Sequence, residues 1–216
     1  MKKAMICFTR VPRPGVTKTR LLPLLPPEHC AGLHWAFLRD LAAVYAEMDA
    51  DLYVAHTPDP DCHELKSVFP MAAGFFPQEG NGLGAKMDHA IRHVLELGYD
   101  AVVLTGADLP MMDSAHLSSG FAALEHADIA LGPTPDGGYY LIGAKAPCPA
   151  LFSGQQYGGA SVYENTLAAA QSAGYTVAAA LPCADVDTPE DLVQLRVSPD
   201  SHTGRFLVLL QKEGIL

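Results

Sequence analysis

Between Ala101 and Gly106 the chain reads A-V-V-L-T-G, an apolar run with none of the in–out alternation of a half-exposed strand. Such a run predicts a strand covered on both faces, the mark of a parallel sheet with helices packed above and below it. Other short strand patterns accompany it at Lys3–Thr9, Asp51–Thr57, Gly74–Pro77, Asp128–Gly132, Tyr139–Gly143 and Thr176–Leu181. Helical stretches fall between them. One opens at Pro26-Pro27-Glu28, with proline and an acid where a first turn favours them, and carries the stripe Ala31, Trp35, Leu38, Ala42, Tyr45. Others are expected over Leu83–Leu97, from about Ser114, over Ala160–Ala173, and from an N-cap at Thr188-Pro189-Glu190-Asp191. A C-terminal helix is expected at about residues 203–214. Alternating strands and helices give an α/β fold with a mostly parallel sheet. The link Pro133–Gly138 is too short for a crossover, so its two flanking strands should form an antiparallel hairpin within that sheet. With no internal repeat and no long linker, residues 1–216 read as one domain.

Charge narrows the function. Of 14 basic residues, six lie in the first 20 positions: Lys2, Lys3, Arg10, Arg13, Lys18 and Arg20. The first acid is Glu28, and the remaining eight bases face all 24 acids of a chain whose net charge is −10. This balance argues against a nucleic-acid binder or an adherent of anionic membranes. A cationic island in an anionic protein suits a small molecule bearing phosphate. For Lys2, Lys3 and Arg13 a solubilising N-terminus is an equal alternative. At 49 % apolar and 18 % charged residues the chain can bury a core. Five cysteines without a Cys-x-x-Cys argue against a disulfide scaffold and a cysteine zinc site, and for a reduced, cytoplasmic setting. The five-residue apolar run Ala4–Phe8 is too short to cross a bilayer.

Ligands of open α/β sheets sit beyond the carboxyl ends of the strands, so the segments after each strand matter most. After the first comes Arg10-Val-Pro-Arg-Pro-Gly15-Val-Thr-Lys18-Thr-Arg20. Backbone amides around Gly15 could form an anion nest, to which Lys18 and Arg20 add charge. After the fourth comes Thr105-Gly106-Ala107-Asp108-Leu109-Pro110, whose carboxylate either holds a hard divalent cation or caps a turn. After the last comes Ala184-Asp185-Val186-Asp187. If that strand continues to alternate, Asp185 and Asp187 point the same way and one of them reaches Asp108. Asp185 reads as an ordinary turn acid; Asp187 either joins Asp108 at a metal–diphosphate site or caps the next helix, a task Thr188 can perform alone. Asp136-Gly137-Gly138 is a hairpin tip, a plain turn on its own terms. Gly80-Asn81-Gly82-Leu83-Gly84 either lets a ligand approach a helix N-terminus or is a flexible loop. The nine histidines show no metal-binding spacing and read as surface or core residues.

Six segments in this order resemble a known family. They are Phe8–Leu21, Gly82–Met87 (G-L-G-A-K-M), Leu104–Pro110 (L-T-G-A-D-L-P), Leu131–Gly143 (L-G-P-T-P-D-G-G-Y-Y-L-I-G), Leu151–Val162 and Asp185–Leu192 (D-V-D-T-P-E-D-L). The chain is similar to the bacterial glycosyltransferase-like proteins, formerly grouped as a domain of unknown function, of the nucleotide-diphospho-sugar transferase (GT-A) superfamily. The resemblance implies a Rossmann-like sheet of about seven strands, one of them antiparallel. It implies that Arg10, Gly15, Lys18 and Arg20 bind phosphates, that Gly82, Leu83, Gly84 and Lys86 lie on the nucleotide, and that Asp108 and Asp187 hold Mg²⁺ or Mn²⁺. The acceptor then lies by Gly137, Gly138, Tyr139, Tyr157 and Gly158, with Asp136 and Lys18 as catalytic candidates. Two departures stand out: Lys86 where the family usually has arginine, and Tyr157-Gly158-Gly159 where it tends to have Trp-Gly-Thr.

The function so implied is metal-dependent glycosyl transfer from a nucleotide sugar to a small-molecule acceptor. Nucleotidyl transfer from an NTP to a phosphorylated acceptor is the near rival, since Thr17-Lys-Thr-Arg-Leu21 also resembles a loop of the phospholactate guanylyltransferases. A non-catalytic nucleotide-binding module is the third possibility.

Overall fold

A computed structural model describes residues 1–216. Seven strands form one sheet in the order β3-β2-β1-β4-β6-β5-β7. They are β1 (Lys3–Thr9), β2 (Asp51–His56), β3 (Gly74–Pro77), β4 (Ala101–Thr105), β5 (Ile129–Pro133), β6 (Tyr139–Ala144) and β7 (Val177–Ala179). All neighbouring pairs are parallel except those of β6, which runs against both β4 and β5. The expected hairpin is therefore the source of the single antiparallel strand.

The helices are α1 (Pro27–Ala46), α2 (His63–Val68), α3 (Gly82–Glu96), α4 (Ser114–His126), α5 (Val162–Ser172), α6 (Pro189–Gln194) and α7 (His202–Lys212). Successive residues of the central strands feed opposite cores. Met5, Cys7 and Val103 pack with Leu38, Leu41, Tyr45 and Phe121 from α1 and α4. Ala4, Ile6, Val102 and Leu104 pack with Met87, Ile91 and Val94 from α3. All five residues of β4 are buried, which is why its sequence cannot alternate.

A third, smaller core lies beside the sheet. Leu21 and Leu25 after the basic loop meet Leu33 and Phe37 of α1, Val186, Leu192 of α6 and Leu210 of α7. It joins segments more than 160 residues apart in the chain, and it pins the basic loop against the Asp185–Asp187 segment.

Two expectations need correction. The last strand was expected to run through Thr176–Leu181, but β7 stops at Ala179, and residues 180–187 form neither strand nor helix. Pro182, which has no N–H, prevents continued pairing. The alternation assumed for Asp185 and Asp187 therefore does not exist. Likewise Trp35, expected in the core stripe of α1, is only half-buried, whereas His34 and Phe37 are buried. The helix is covered from a second side by α7, where Phe206 lies against Gly32 so closely that a Cβ there would stand 2.8 Å from its ring.

Candidate functional site

Strand order reverses between β1 and β4, the two strands on which chain order departs in opposite directions across the sheet. A crevice opens beyond such a switch point. Here it is a cleft of about 800 Å³ lined by the ends of β1 and β4, the start of α3, the β5–β6 hairpin and the segment Tyr157–Val162.

The basic loop and both proposed metal acids meet at its floor. The Lys18 ammonium stands 2.6 Å from Asp108 Oδ1 and 3.1 Å from Asp187 Oδ1, and donates to the Val186 carbonyl at 2.5 Å. Its side chain is only 3 % exposed. Arg20 reaches the other oxygen of Asp187, donating from Nη1 to Oδ2 at 3.2 Å. The Asp187 segment is fixed from below: the Val186 N–H donates to the Asp108 carbonyl at 2.9 Å, and the Val186 side chain enters the third core. Neither acid spends its carboxylate on a cap. Thr188 caps α6 in a reciprocal box with Asp191, leaving Asp187 free to face the cleft. Burial is the largest single influence and acts to raise the Asp108 carboxyl pKa, but the charge and hydrogen bond of Lys18, with His34 and Arg10, together outweigh it and the net shift is downward.

The other predicted residues divide. Arg10 and Lys86 line the cleft, and neither has a carboxylate partner. Gly82, Leu83, Asp136, Gly138, Tyr139, Tyr157 and Gly158 line it too. Gly84 lies behind Leu83, in an adjoining hollow of about 400 Å³; a Cβ on it would stand 2.7 Å from the Tyr157 hydroxyl and 2.9 Å from the Phe152 carbonyl oxygen. Gly15 lies outside the cleft. The N–H groups of Val16 and Thr17 both donate to the Arg13 carbonyl, so the turn offers no nest aimed at a ligand. Gly137 is outside as well. Its φ is 88°, and a Cβ would fall 1.9 Å from the Ala160 carbonyl oxygen, so this glycine docks the hairpin tip on the neighbouring loop. Asp136 keeps part of its plain-turn role, since its Oδ1 accepts from the Thr134 hydroxyl and the Gly138 N–H. Arg13 is structural: it pairs with Asp59, Asp61 and Glu64.

Sequence reasoning missed several lining residues. Asp185, read as an ordinary turn acid, lies in the cleft, and burial together with the charges of Asp187 and Asp136 pushes its carboxyl up to about 6. His34 on α1 lies 3.8 Å from Asp108, and burial lowers its imidazole to about 4, so it is neutral at pH 7. Its spacing, three residues after Ala31 and four before Leu38 of the α1 stripe, was the available signal. Gln78 directly follows β3 and donates to the carbonyls of Thr9 and Ala55, tying three strand ends together. The strand-end rule pointed to that position. Tyr139 and Tyr157 each bury a hydroxyl that has no partner within the protein. Burial raises both phenols, so each stays protonated.

A mostly parallel sheet whose switch point carries cations and paired acids defines a class, the nucleotide-handling α/β transferases. The chain belongs to the family DUF2064, described as an uncharacterized protein conserved in bacteria, whose profile matches residues 40–159. A 2-phospho-L-lactate guanylyltransferase from Methanothermobacter thermautotrophicus is 25 % identical over 195 residues, covering 88 % of this chain and 83 % of its own. A crystal structure from Desulfovibrio desulfuricans G20, of a protein assigned provisionally as a nucleotide-diphospho-sugar transferase, superposes with a TM-score of 0.88 at 32 % identity. That match covers 98 % of this chain and 96 % of the other. A 4-diphosphocytidyl-2C-methyl-D-erythritol synthase shares the fold alone, with a TM-score of 0.61 at 11 % identity over 89 % of this chain and 95 % of its own. These relatives are transferases, and this chain is an enzyme of that kind. No helix is long and apolar enough to cross a membrane.

Proposed function

We propose that the chain is a metal-dependent transferase that takes a nucleotide-diphospho-sugar and passes its glycosyl group to a small-molecule acceptor. The observation carrying this reading is the meeting of Lys18, Asp108 and Asp187 at the switch point, with Arg20 on the same Asp187. A departing diphosphate develops negative charge that must be met by cations. Arg10 and Lys86, in the cleft without carboxylate partners, are placed to take phosphate oxygens. The open start of α3 at Gly82 and Leu83 gives the nucleotide a helix N-terminus without a side-chain cap.

Asp108 and Asp187 fit a hard divalent ion, because a cation already lies between their oxygens in the form of the Lys18 ammonium, with the Val186 carbonyl beside it. No third acid, histidine or cysteine is arranged with them as a ligand, although His34 lies 3.8 Å from Asp108. Two carboxylates, with phosphate and water completing the shell, is a donor set that suits Mg²⁺ or Mn²⁺. Bound there, the ion would supply charge stabilisation to the leaving diphosphate.

The residues that the family resemblance assigns to the acceptor favour glycosyl transfer. Asp136, Gly138, Tyr139, Tyr157 and Gly158 line the cleft, and no lysine or arginine is among them. An acceptor whose nucleophile is a phosphate would meet the Asp136 carboxylate there, whereas a hydroxyl acceptor would find an acid to hold it or take its proton. Asp136 Oδ2, the oxygen not engaged in the turn, orients the acceptor hydroxyl or takes its proton. Nucleotidyl transfer is the second reading, favoured by the guanylyltransferase relative. Residues 1–216 are read as one working unit in the cytoplasm, where nucleotide substrates are made.

The test supplies purified protein with Mn²⁺ and either NDP-sugars or NTPs plus phosphorylated acceptors. Release of NDP from an NDP-sugar supports glycosyl transfer; release of pyrophosphate from an NTP replaces it with the second reading. If no nucleotide of either class shifts the melting temperature with Mn²⁺, both readings fail.

A further inference from the structure

Lys18 is the single non-glycine residue with a positive φ, at 54°. It directly precedes the helical turn Thr19–Leu21 and makes no side-chain cap there. A lysine in the left-handed region is strained and persists only where its surroundings hold it. What holds it is the far end of its side chain. An ammonium has three N–H donors, and here three oxygens, from Asp108, Asp187 and Val186, stand within 3.1 Å of it. The ring of Phe37 faces the same nitrogen at 5.4 Å. No donor remains for a phosphate, although Lys18 lines the cleft in which the phosphates are proposed to lie. Arg10 and Lys86 show the opposite pattern, lining that cleft without an acid.

We infer that the Lys18 ammonium and a divalent cation are alternative occupants of one oxygen cage. The inference rests on the reading of Asp108 and Asp187 as ion ligands. With the ammonium on the two carboxylates their charge is offset, and an ion arriving by itself must displace it from both. A diphosphate arriving with the ion offers the displaced ammonium a new anionic partner. Ion and nucleotide therefore bind with positive coupling, each raising the affinity for the other by the same factor. Lys18 acts as the counter-ion that keeps the cage from collecting a free metal.

The experiment measures Mn²⁺ binding by itself, from the electron paramagnetic resonance signal of free Mn²⁺, in wild type and in Lys18→Met and Lys18→Gly. Glycine accepts a φ of 54° without strain, so the second variant remains informative if the first folds poorly. Removing the competing ammonium should tighten Mn²⁺ binding by about tenfold or more, the scale of one close charge pair. Adding Asp108→Asn to Lys18→Gly should abolish the gain. Unchanged or weaker binding in the Lys18 variants overturns the inference, as does a gain that survives Asp108→Asn. The underlying metal reading has its own readout: Mn²⁺ with pyrophosphate should raise the melting temperature of wild type and not that of Asp108→Asn. If that rise depends on Asp108 and the Lys18 variants show no gain, only the competition falls.

Discussion

Six basic residues crowd the first 20 positions, and folding sends them to different ends. Lys2 and Lys3 place their ammonium groups over the rings of Tyr99 and Phe121. Arg13 binds three acids of the β2–α2 region, while Lys18 and Arg20 turn to Asp187. The sequence separates Lys18 and Arg20 from the others only through the loop that carries them, because the acids that sort them lie far along the chain. Arg13→Ala tests the sorting. The guanidinium of Arg13 holds the Asp59 carboxyl below its ordinary 3.8, so the pair stabilises the fold above that pH and its contribution fades as pH falls through the depressed value. The variant should lose up to about 1 kcal/mol at pH 7, the range of a solvent-screened pair. Denaturant melts of the two proteins should converge once pH falls below the depressed Asp59 value, itself under 3.8, and nucleotide binding should not change. A loss of nucleotide affinity instead would place Arg13 in the site.

Among the elements, β1, β4 and the β5–β6 hairpin were legible because each is set by local pattern: an unalternating apolar run, or a turn too short to be anything else. The end of β7 was not, since Val186 is placed by docking into the third core rather than by strand pairing. That core makes a prediction about elements that never touch ligand. Leu21 is fully buried and does not line the cleft. Leu21→Ala should cost roughly 3 kcal/mol and weaken nucleotide binding by letting the basic loop shift from Asp187. Val94→Ala, in the core beneath α3, serves as the control with lowered stability and unchanged affinity. Equal affinities in both variants would show that the third core does not position the site. At the hairpin tip, Gly137→Ala meets both a φ of 88° and the Ala160 carbonyl oxygen. It should lower stability by about 3 kcal/mol or more in thermal melts, whereas Gly15→Ala, also at positive φ but with open space around it, should cost less.

Across the whole molecule the charge asymmetry was plain in the sequence, and its spatial meaning was not. Composition shows an acid-free N-terminus in an anionic chain; only the fold brings residue 18 against residues 108 and 187 at the one point where the sheet reverses its order. Asp185 and His34 were the least legible lining residues, because each gains its significance only from a cleft assembled by many separate parts of the chain, whereas Tyr139 and Tyr157 were named through the family resemblance. Calorimetric titration of wild type and Asp108→Asn with GTP and with UDP-glucose, each with and without Mn²⁺, tests the central claim most directly. Wild type should bind at least one of the two in a Mn²⁺-dependent manner, and Asp108→Asn should weaken that binding by about a hundredfold, ~3 kcal/mol, while keeping its fold. Mn²⁺-dependent binding of equal strength in both proteins would contradict it.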